Sequence, residues 1–554
     1  MTARAASYAH GASPVPLDGS TLGAAFDAVA ERFPANDCVV SLHQHLRLTY
    51  ADMRQLTDRC AAGLAALGVA HGDRVGIWSP NNAEWIVMQF GTPKIGAVLV
   101  NINPAYRSSE LEYALRQSGI SVIVTLDRYK TSAYLDMLRA LRPALPDLRE
   151  VIVIGAEPLH AGERTWAALL ALGDDFDPAE LRERAARAQC DDPINIQYTS
   201  GTTGLPKGAT LSHHNVLNNG FFIGEGCRYT ERDRVCIPVP FYHCFGMVLG
   251  NLACVTHGAT IVIPAPTFAP GPTLAAVERE RCTALYGVPT MFIAELAEPD
   301  FATYDLSSLR TGIMAGSPCP AEVMKRVQTE MHMPEVTICY GMTETSPVST
   351  QTDVADPLDK RTATVGRVHP HIEVKIVDAD GRVVPRETPG ELCTRGYSVM
   401  LGYWNDPEQT AAVIDAGRYM HTGDIAHMDD DGYVTISGRI KDMVIRGGEN
   451  IYPREIEEFL YTHPDIKDVS VVGIPDERYG EELCAWVIPH AGAALEADAV
   501  RAFCRDRISH YKIPRYILFV DAFPLTVTGK VQKYIMREQS PALIAAQTAR
   551  VSAG

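Results

Sequence analysis

The sequence predicts an α/β fold. A large N-terminal domain of parallel or mixed sheets is wrapped by helices and ends in barrel-like strands, and a small α+β C-terminal domain follows. Three observations carry this reading. The first half alternates helix-period segments with short apolar runs. Beyond about residue 360 the strand-like segments alternate polar and apolar residues. From Gly438 onward a short succession of helix and strand patterns closes the chain.

The elements follow in chain order. After Thr49, the apolar residues Met53, Leu56, Cys60, Leu64 and Leu67 recur at spacings of three and four, which places them on one helix face. Arg74-Val75-Gly76-Ile77-Trp78 reads as a strand ended by Pro80-Asn81-Asn82. Ala97–Val100 and Ser121–Val124 read as short buried strands, with Ser108-Ser109-Glu110 capping the helix between them. Ile194–Gln197 is a further strand. Ile372–Val377 alternates apolar and polar residues before a turn at Asp380-Gly381, and Gly432–Ile436 resembles it; both fit antiparallel or barrel strands. Pro453–Leu460 reads as a helix with proline in its first turn, and Val469–Val472 as a strand.

The chain has 554 residues, 46% hydrophobic and 21% charged, with a net charge of −17. That composition suits a soluble globular enzyme and excludes a general nucleic-acid binder, whose affinity rests on lysine and arginine. Thirteen cysteines without a CxxC pair match neither a disulfide framework nor a zinc ribbon, so reduced thiols in a cytoplasmic setting are expected. The leader MTARAASYAHGASPVPLDGS lacks the apolar core of a secretory signal. No apolar run approaches the roughly twenty residues of a spanning helix. Peripheral membrane contact and a homodimer stay open.

The stretch Tyr198–Asn215, YTSGTTGLPKGATLSHHN, has the chemistry of a phosphate loop. Its small residues let backbone N–H groups converge on an anion. Thr199, Ser200, Thr202 and Thr203 add hydroxyl donors, Gly201 and Gly204 add backbone freedom, and Lys207 adds a point charge. A P-loop beginning at Gly201 fails twice. Pro206 stands where the second glycine belongs, and Gly208 where a hydroxyl would hold Mg²⁺.

YTSGTTGLPKG resembles the signature of the adenylate-forming superfamily, which includes acyl-CoA synthetases, luciferases and peptide-synthetase adenylation domains. Companion motifs follow in the family's order: Ala315-Gly316-Ser317-Pro318, Tyr340-Gly341-Met342-Thr343-Glu344, Tyr419–Asp424, Gly438–Asp442 and Pro524–Lys530. Taken alone, Asp424 is a turn residue, Lys530 and Arg439 are surface charges and Tyr340 is core; the ordered set favours function. The resemblance implies that the 199–207 loop holds the β- and γ-phosphates of ATP. It implies that Tyr340 stacks on adenine with Gly316, Ser317 and Pro318 on the other side, and that Thr343 touches the α-phosphate. Glu344 would hold Mg²⁺, with Thr202 as a second candidate; Asp424 would bind the ribose and Arg439 reach the nucleotide. Lys530 is the implied catalytic lysine.

The implied architecture is an N-terminal domain over residues 1–438, including a distorted β-barrel, and a mobile lid over residues 439–554. The lid would rotate about Lys441 between acyl-adenylate formation and attack by a thiol. In the second step Gly447, Gly448 and Glu449 would line a coenzyme A tunnel. With few residues after Lys530, free CoA is expected rather than a tethered carrier. Pro238–Met247 maps to the acyl-pocket stretch, with Phe241, His243, Gly246, Val288 and Gly341 as pocket candidates. This stretch lacks the aspartate that amino-acid-activating relatives carry. Gly341 stands where acetate-specific relatives place tryptophan, so a larger acid is expected. His243 reads equally as a gate for the carboxylate or as a packed, hydrogen-bonded histidine. PFYHCFGMV, ALYGVPTMF, YGMTETSPV and RGYSVMLGYW are similar to medium-chain fatty-acid–CoA ligases of the "family member 2" type. The alternatives are an aryl-acid (coumarate- or benzoate-type) ligase and a non-catalytic nucleotide or acyl sensor. The latter is disfavoured by the presence of Thr343, Glu344 and Lys530.

Overall fold

The helix expected after Thr49 runs Tyr50–Ala66. The Thr49 hydroxyl accepts the Asp52 N–H at 3.1 Å, and Asp52 returns a bond to the Thr49 N–H at 2.9 Å, a reciprocal cap for the first turn. Met53, Cys60 and Leu64 on its apolar face are fully buried. The helix expected to be capped by Ser108-Ser109-Glu110 runs Ser108–Ser118, and of the three it is Glu110 that supplies the cap. Its first turn is closed by Glu110, which accepts the Arg107 N–H at 3.0 Å, so a carboxylate and not a serine serves the orphan donor.

The computed structural model describes residues 5–155, 159–199, 206–317, 319–446, 449–505, 507–526 and 530–552. The chain divides into two compact units: Ala9–Val374 with Thr394–His421, and Met1–Tyr8 with Lys375–Cys393 and Thr422–Gly554.

Among the described residues the larger unit holds an eight-stranded and a nine-stranded sheet. The first runs Gly402–Tyr403, Lys207–Ser212, Pro193–Thr199, Val98–Asn101, Arg74–Trp78, Ile120–Leu126, Glu150–Ile154, Glu163–Thr165. It is parallel from Pro193–Thr199 outward, with the two preceding strands antiparallel. The second is parallel from Glu335–Gly341 through Thr311–Ala315, Ala284–Gly287, Arg234–Cys236 and Thr260–Ile263 to Asp37–Ser41. Its central strands Ala284–Gly287 and Thr260–Ile263 are buried at every residue, as parallel strands covered on both faces must be. Helix Ala83–Gly91 supplies Trp85, Ile86 and Phe90 to the core, where Phe90 stacks on Phe26 at 4.7 Å.

The alternating segments form a half-barrel sheet in the order Tyr8–His10, Ile372–Val377, Gly390–Gly396, Met420–Met428, Val434–Arg439. In the smaller unit the long hairpin Ile466–Asp476 and Gly480–Pro489 carries Tyr516–Phe519 alongside it. Val444–Arg446 and Glu449–Ile451 extend the same sheet. Helix Pro453–Leu460 buries Ile456 and Leu460 in the core of Val469, Val471, Leu483 and Val487. All thirteen cysteines are free thiols. Among the described residues no helix is long and apolar enough to cross a membrane.

Candidate active site

The phosphate loop is carried by two antiparallel strands whose ends meet: Thr199 is the register partner of Lys207. Ser200, Gly201, Thr202, Thr203 and Gly204 lie outside the described residues. The Thr199 hydroxyl is 3.4 Å from the Lys207 carbonyl and 3.5 Å from Glu344 Oε1. The Lys207 ammonium donates to Gln409 Oε1 at 2.5 Å and lies 5.1 Å from the centre of the Tyr403 ring.

Glu344 sits in a one-turn helix, Thr343–Thr345, just after strand Glu335–Gly341, and is only 5% exposed. Its Oε1 accepts the Tyr403 hydroxyl at 2.8 Å. Burial, and after it the neighbouring Glu344 carboxylate, holds the Tyr403 phenol well above its ordinary value, so the hydroxyl stays a donor. Among the described residues Glu344 Oε2 accepts no hydrogen bond. A buried carboxylate with one oxygen engaged and one open fits Mg²⁺, which binds through one or two carboxylates while keeping water and substrate phosphates. Thr343 is 8% exposed, with its hydroxyl 3.6 Å from Cys244 Sγ.

Strands Thr311–Ala315 and Glu335–Gly341 are adjacent and parallel, with Ala315 opposite Cys339. Gly316-Ser317 and Tyr340-Gly341 therefore emerge side by side at the carboxyl ends of the strands, the usual place for a ligand crevice in an α/β sheet. Pro318 lies outside the described residues. A Cβ on Gly341 would come 1.6 Å from the Pro347 carbonyl oxygen. A side chain here requires the turn after Glu344 to move.

Of the acyl-pocket candidates, Phe241 and Val288 lie in one core cluster, whereas His243 is partly buried and Gly341 exposed. Phe241 is fully buried and its ring lies 5.7 Å from that of Trp85, while Val288 is 5% exposed. The surprise is Phe245–Leu252, a π-helix, a form that concentrates at functional sites. His243 Nδ1 accepts the Phe245 N–H at 3.1 Å, so the imidazole caps this helix and, when neutral, carries its proton on Nε2. Gly246 sits in the first turn; a Cβ there would lie 2.4 Å from the Pro240 carbonyl oxygen. A groove of about 450 Å³ lined by Leu401, Tyr403, Asp406, Thr410 and Ile414 is separate from these residues.

In the smaller unit Asp424 is 6% exposed and lies opposite Arg439 across an antiparallel pair, with Arg439 Nε 3.1 Å from its Oδ1. Lys441 follows in the turn Ile440–Asp442. Burial first, and then Arg439, holds its ammonium below the ordinary lysine value. Arg537 braces this turn, donating to Asp442 Oδ1 at 2.7 Å and to the Lys441 carbonyl at 3.3 Å. Lys530 is anchored by its backbone: its N–H donates to Thr526 Oγ1 at 3.0 Å, and the Thr526 N–H to its carbonyl at 2.7 Å. Glu449 is exposed and pairs in register with Arg446; Gly447 and Gly448 lie outside the described residues.

The AMP-binding enzyme pattern matches residues 26–404, and the AMP-binding enzyme C-terminal domain matches residues 455–530. The chain belongs to the AMP-binding enzyme family. A Danio rerio relative named medium-chain acyl-CoA ligase ACSF2, mitochondrial, is 46% identical over 550 residues, covering 96% of this chain and 90% of that one. Among solved structures, the anthranilate CoA ligase AuaEII in complex with anthranoyl-AMP matches with a TM-score of 0.86 at 27% identity, over 96% of this chain and 99% of that one. ATP-bound MatB from Rhodopseudomonas palustris matches with a TM-score of 0.82 at 27% identity, over 94% and 99%. In this AMP-binding enzyme Arg439 and Lys441 fall between the two matched stretches, and Lys530 is the last residue of the second. Sequence reasoning missed Tyr403, Gln409 and the π-helix. Tyr403 stands inside RGYSVMLGYW, a stretch read only for its resemblance.

Proposed function

We propose that the protein is an ATP-dependent carboxylic acid–CoA ligase that converts a medium-chain fatty acid to its acyl-CoA, releasing AMP and pyrophosphate. The observation that carries this is Glu344, a buried carboxylate set between Thr199 at the foot of the phosphate loop and the Tyr403 hydroxyl. The relatives named medium-chain acyl-CoA ligase support the acid class.

An oxygen of the acid's carboxylate attacks the α-phosphorus of ATP. The bond from that phosphorus to the bridging oxygen breaks, and pyrophosphate leaves with the electron pair. Both partners are anions, so positioning and preorganised charge supply most of the rate. Lys207 and the loop donors take the β- and γ-phosphates, and Thr343 takes the α-phosphate. Mg²⁺ held through Glu344 would neutralise charge on the triphosphate and the leaving group. Tyr340 covers adenine, Asp424 takes the ribose hydroxyls, Arg439 reaches the nucleotide, and Lys530 gives its ammonium to the reacting carboxylate and α-phosphate. The CoA thiol, losing its proton, then attacks the acyl carbon, and the C–O bond to AMP breaks. Gly447, Gly448 and Glu449 belong to this second step, with Lys441 as the hinge of a lid over residues 439–554 that follows a domain of residues 1–438.

The test is CoA-dependent AMP release with straight-chain acids from acetate to stearate, and with benzoate and coumarate. Release should peak on medium chains. A peak on aromatic acids would replace the substrate with an aryl acid, and no release with any acid would remove the ligase reading. We extend the reading to a cytoplasmic location and a homodimer, tested by cell fractionation and by light scattering on the purified chain.

A further inference from the structure

The strand Gly402–Tyr403 is only two residues long, yet it is fastened on every side. Tyr403 is the register partner of Ala209, two residues after Lys207. The Leu401 N–H donates to the Thr210 carbonyl at 2.9 Å, and the Trp404 N–H to the Gly208 carbonyl at 2.7 Å. The Tyr403 N–H donates to Thr410 Oγ1 at 2.9 Å, and that hydroxyl donates to the Asp406 carbonyl at 2.8 Å. Asp406 in turn accepts the Gln409 N–H at 3.1 Å, capping the helix Pro407–Val413. The segment that carries Tyr403 is thus fastened to the strand that carries Lys207, and the helix that carries Gln409 is fastened to it through Thr410.

These two side chains meet the two opposite charges of the phosphate site. The Tyr403 hydroxyl donates to Glu344 at 2.8 Å, while the face of the same ring lies 5.1 Å from the Lys207 ammonium. Gln409 accepts from that ammonium at 2.5 Å. A lysine and a glutamate drawn together in a buried setting attract strongly and would neutralise one another. A phenol between them gives each charge a neutral partner: a donor for the carboxylate, and a π-face for the cation.

We infer that Tyr403 and Gln409 are positioning residues that keep Lys207 and Glu344 apart and aimed, one for phosphate and the other for Mg²⁺. This rests on the ligase reading for the roles of Lys207 and Glu344. Neither Tyr403 nor Gln409 touches the reacting atoms. Groups that orient a metal-holding carboxylate typically change metal affinity or activity by about ten- to a hundredfold when removed.

The experiment is calorimetric titration of the full-length protein with Mg²⁺ and α,β-methylene-ATP, a nucleotide that cannot transfer its adenylyl group. Tyr403→Phe keeps the ring and removes the hydroxyl. It should weaken binding about tenfold and raise the Mg²⁺ concentration at half-saturation. Gln409→Ala should weaken nucleotide binding with less effect on the Mg²⁺ requirement. In a Glu344→Gln background, Tyr403→Phe should add little, because its partner carboxylate is gone. Wild-type affinity and Mg²⁺ dependence in both single variants would overturn the inference, as would full additivity with Glu344→Gln. The titration reads nucleotide binding without turnover, so failure of the ligase reading, seen as no AMP release with any acid, remains a separate result.

Discussion

Lys530 shows how little a single residue says by itself. A lysine after a glycine near the end of a chain is ordinarily a solvated surface charge, and Asp424 after Gly423 is ordinarily a turn. Their functional reading came from order: six motifs in one sequence, each with a chemistry the others need. The structure adds that the Lys530 backbone is held twice by Thr526, its N–H by the Thr526 hydroxyl and its carbonyl by the Thr526 N–H, which fixes the root of the side chain. Lys530→Ala should lower acyl-adenylate formation by at least about 10²–10³, the typical loss for one preorganised donor. CoA transfer from a supplied acyl-adenylate should survive. ATP–pyrophosphate exchange and thioester formation, measured separately, check this; equal loss in both would remove Lys530 from the first step. Tyr403 is the opposite case. Its bond to Glu344 spans 59 residues of sequence, and no local pattern announces a contact of that range.

Among the elements, those with a clear period were legible. Strand Arg74–Trp78, strand Ile372–Val377 and helix Pro453–Leu460 lie where the residue pattern places them. The π-helix Phe245–Leu252 does not announce itself, because all its residues are buried and an element apolar on every side has no stripe to read. Gly246 makes that helix possible. Its missing Cβ lets the Pro240 carbonyl approach to where a methyl carbon would be 2.4 Å away. Gly246→Ala should therefore cost about 1–3 kcal/mol, the range for overpacking a tight core. It should also disturb His243, whose Nδ1 caps the same first turn. Urea unfolding measures the first effect, and kcat/KM across acid chain lengths the second. An alanine variant as stable as the parent would show that the helix start yields easily.

For the whole molecule, β/α alternation was enough to predict parallel sheets covered by helices, and the later change of pattern to predict antiparallel or barrel strands; the division into an eight-stranded and a nine-stranded sheet was not legible. Strand order was not legible: Gly402–Tyr403 joins a sheet whose other strands end by Thr165 and Ser212, and pairing over such distances leaves no trace in local composition. Burial on this scale also sets a response to acid. His213 is fully buried, its Nδ1 accepting the Leu22 N–H at 2.9 Å. Burial lowers its pKa from 6.5 to about 4, against an opposing pull from Asp192 and a small further lowering by His71. His369, bonded to Gln351 at 2.8 Å, is lowered by burial to about 3. Both stay neutral in the folded chain while the unfolded chain takes up protons below about pH 6.5. Stability from these sites is therefore complete above about pH 6.5 and is lost as pH falls towards the folded values. Between about pH 7 and about pH 5 the loss is about 2 kcal/mol for each histidine. In His213→Gln the side-chain oxygen can still accept the Leu22 N–H, but the titrating group is gone. Urea unfolding at the two pH values should show the variant losing about 2 kcal/mol less than the parent; identical losses would mean that His213 is protonated in the folded state well above pH 4.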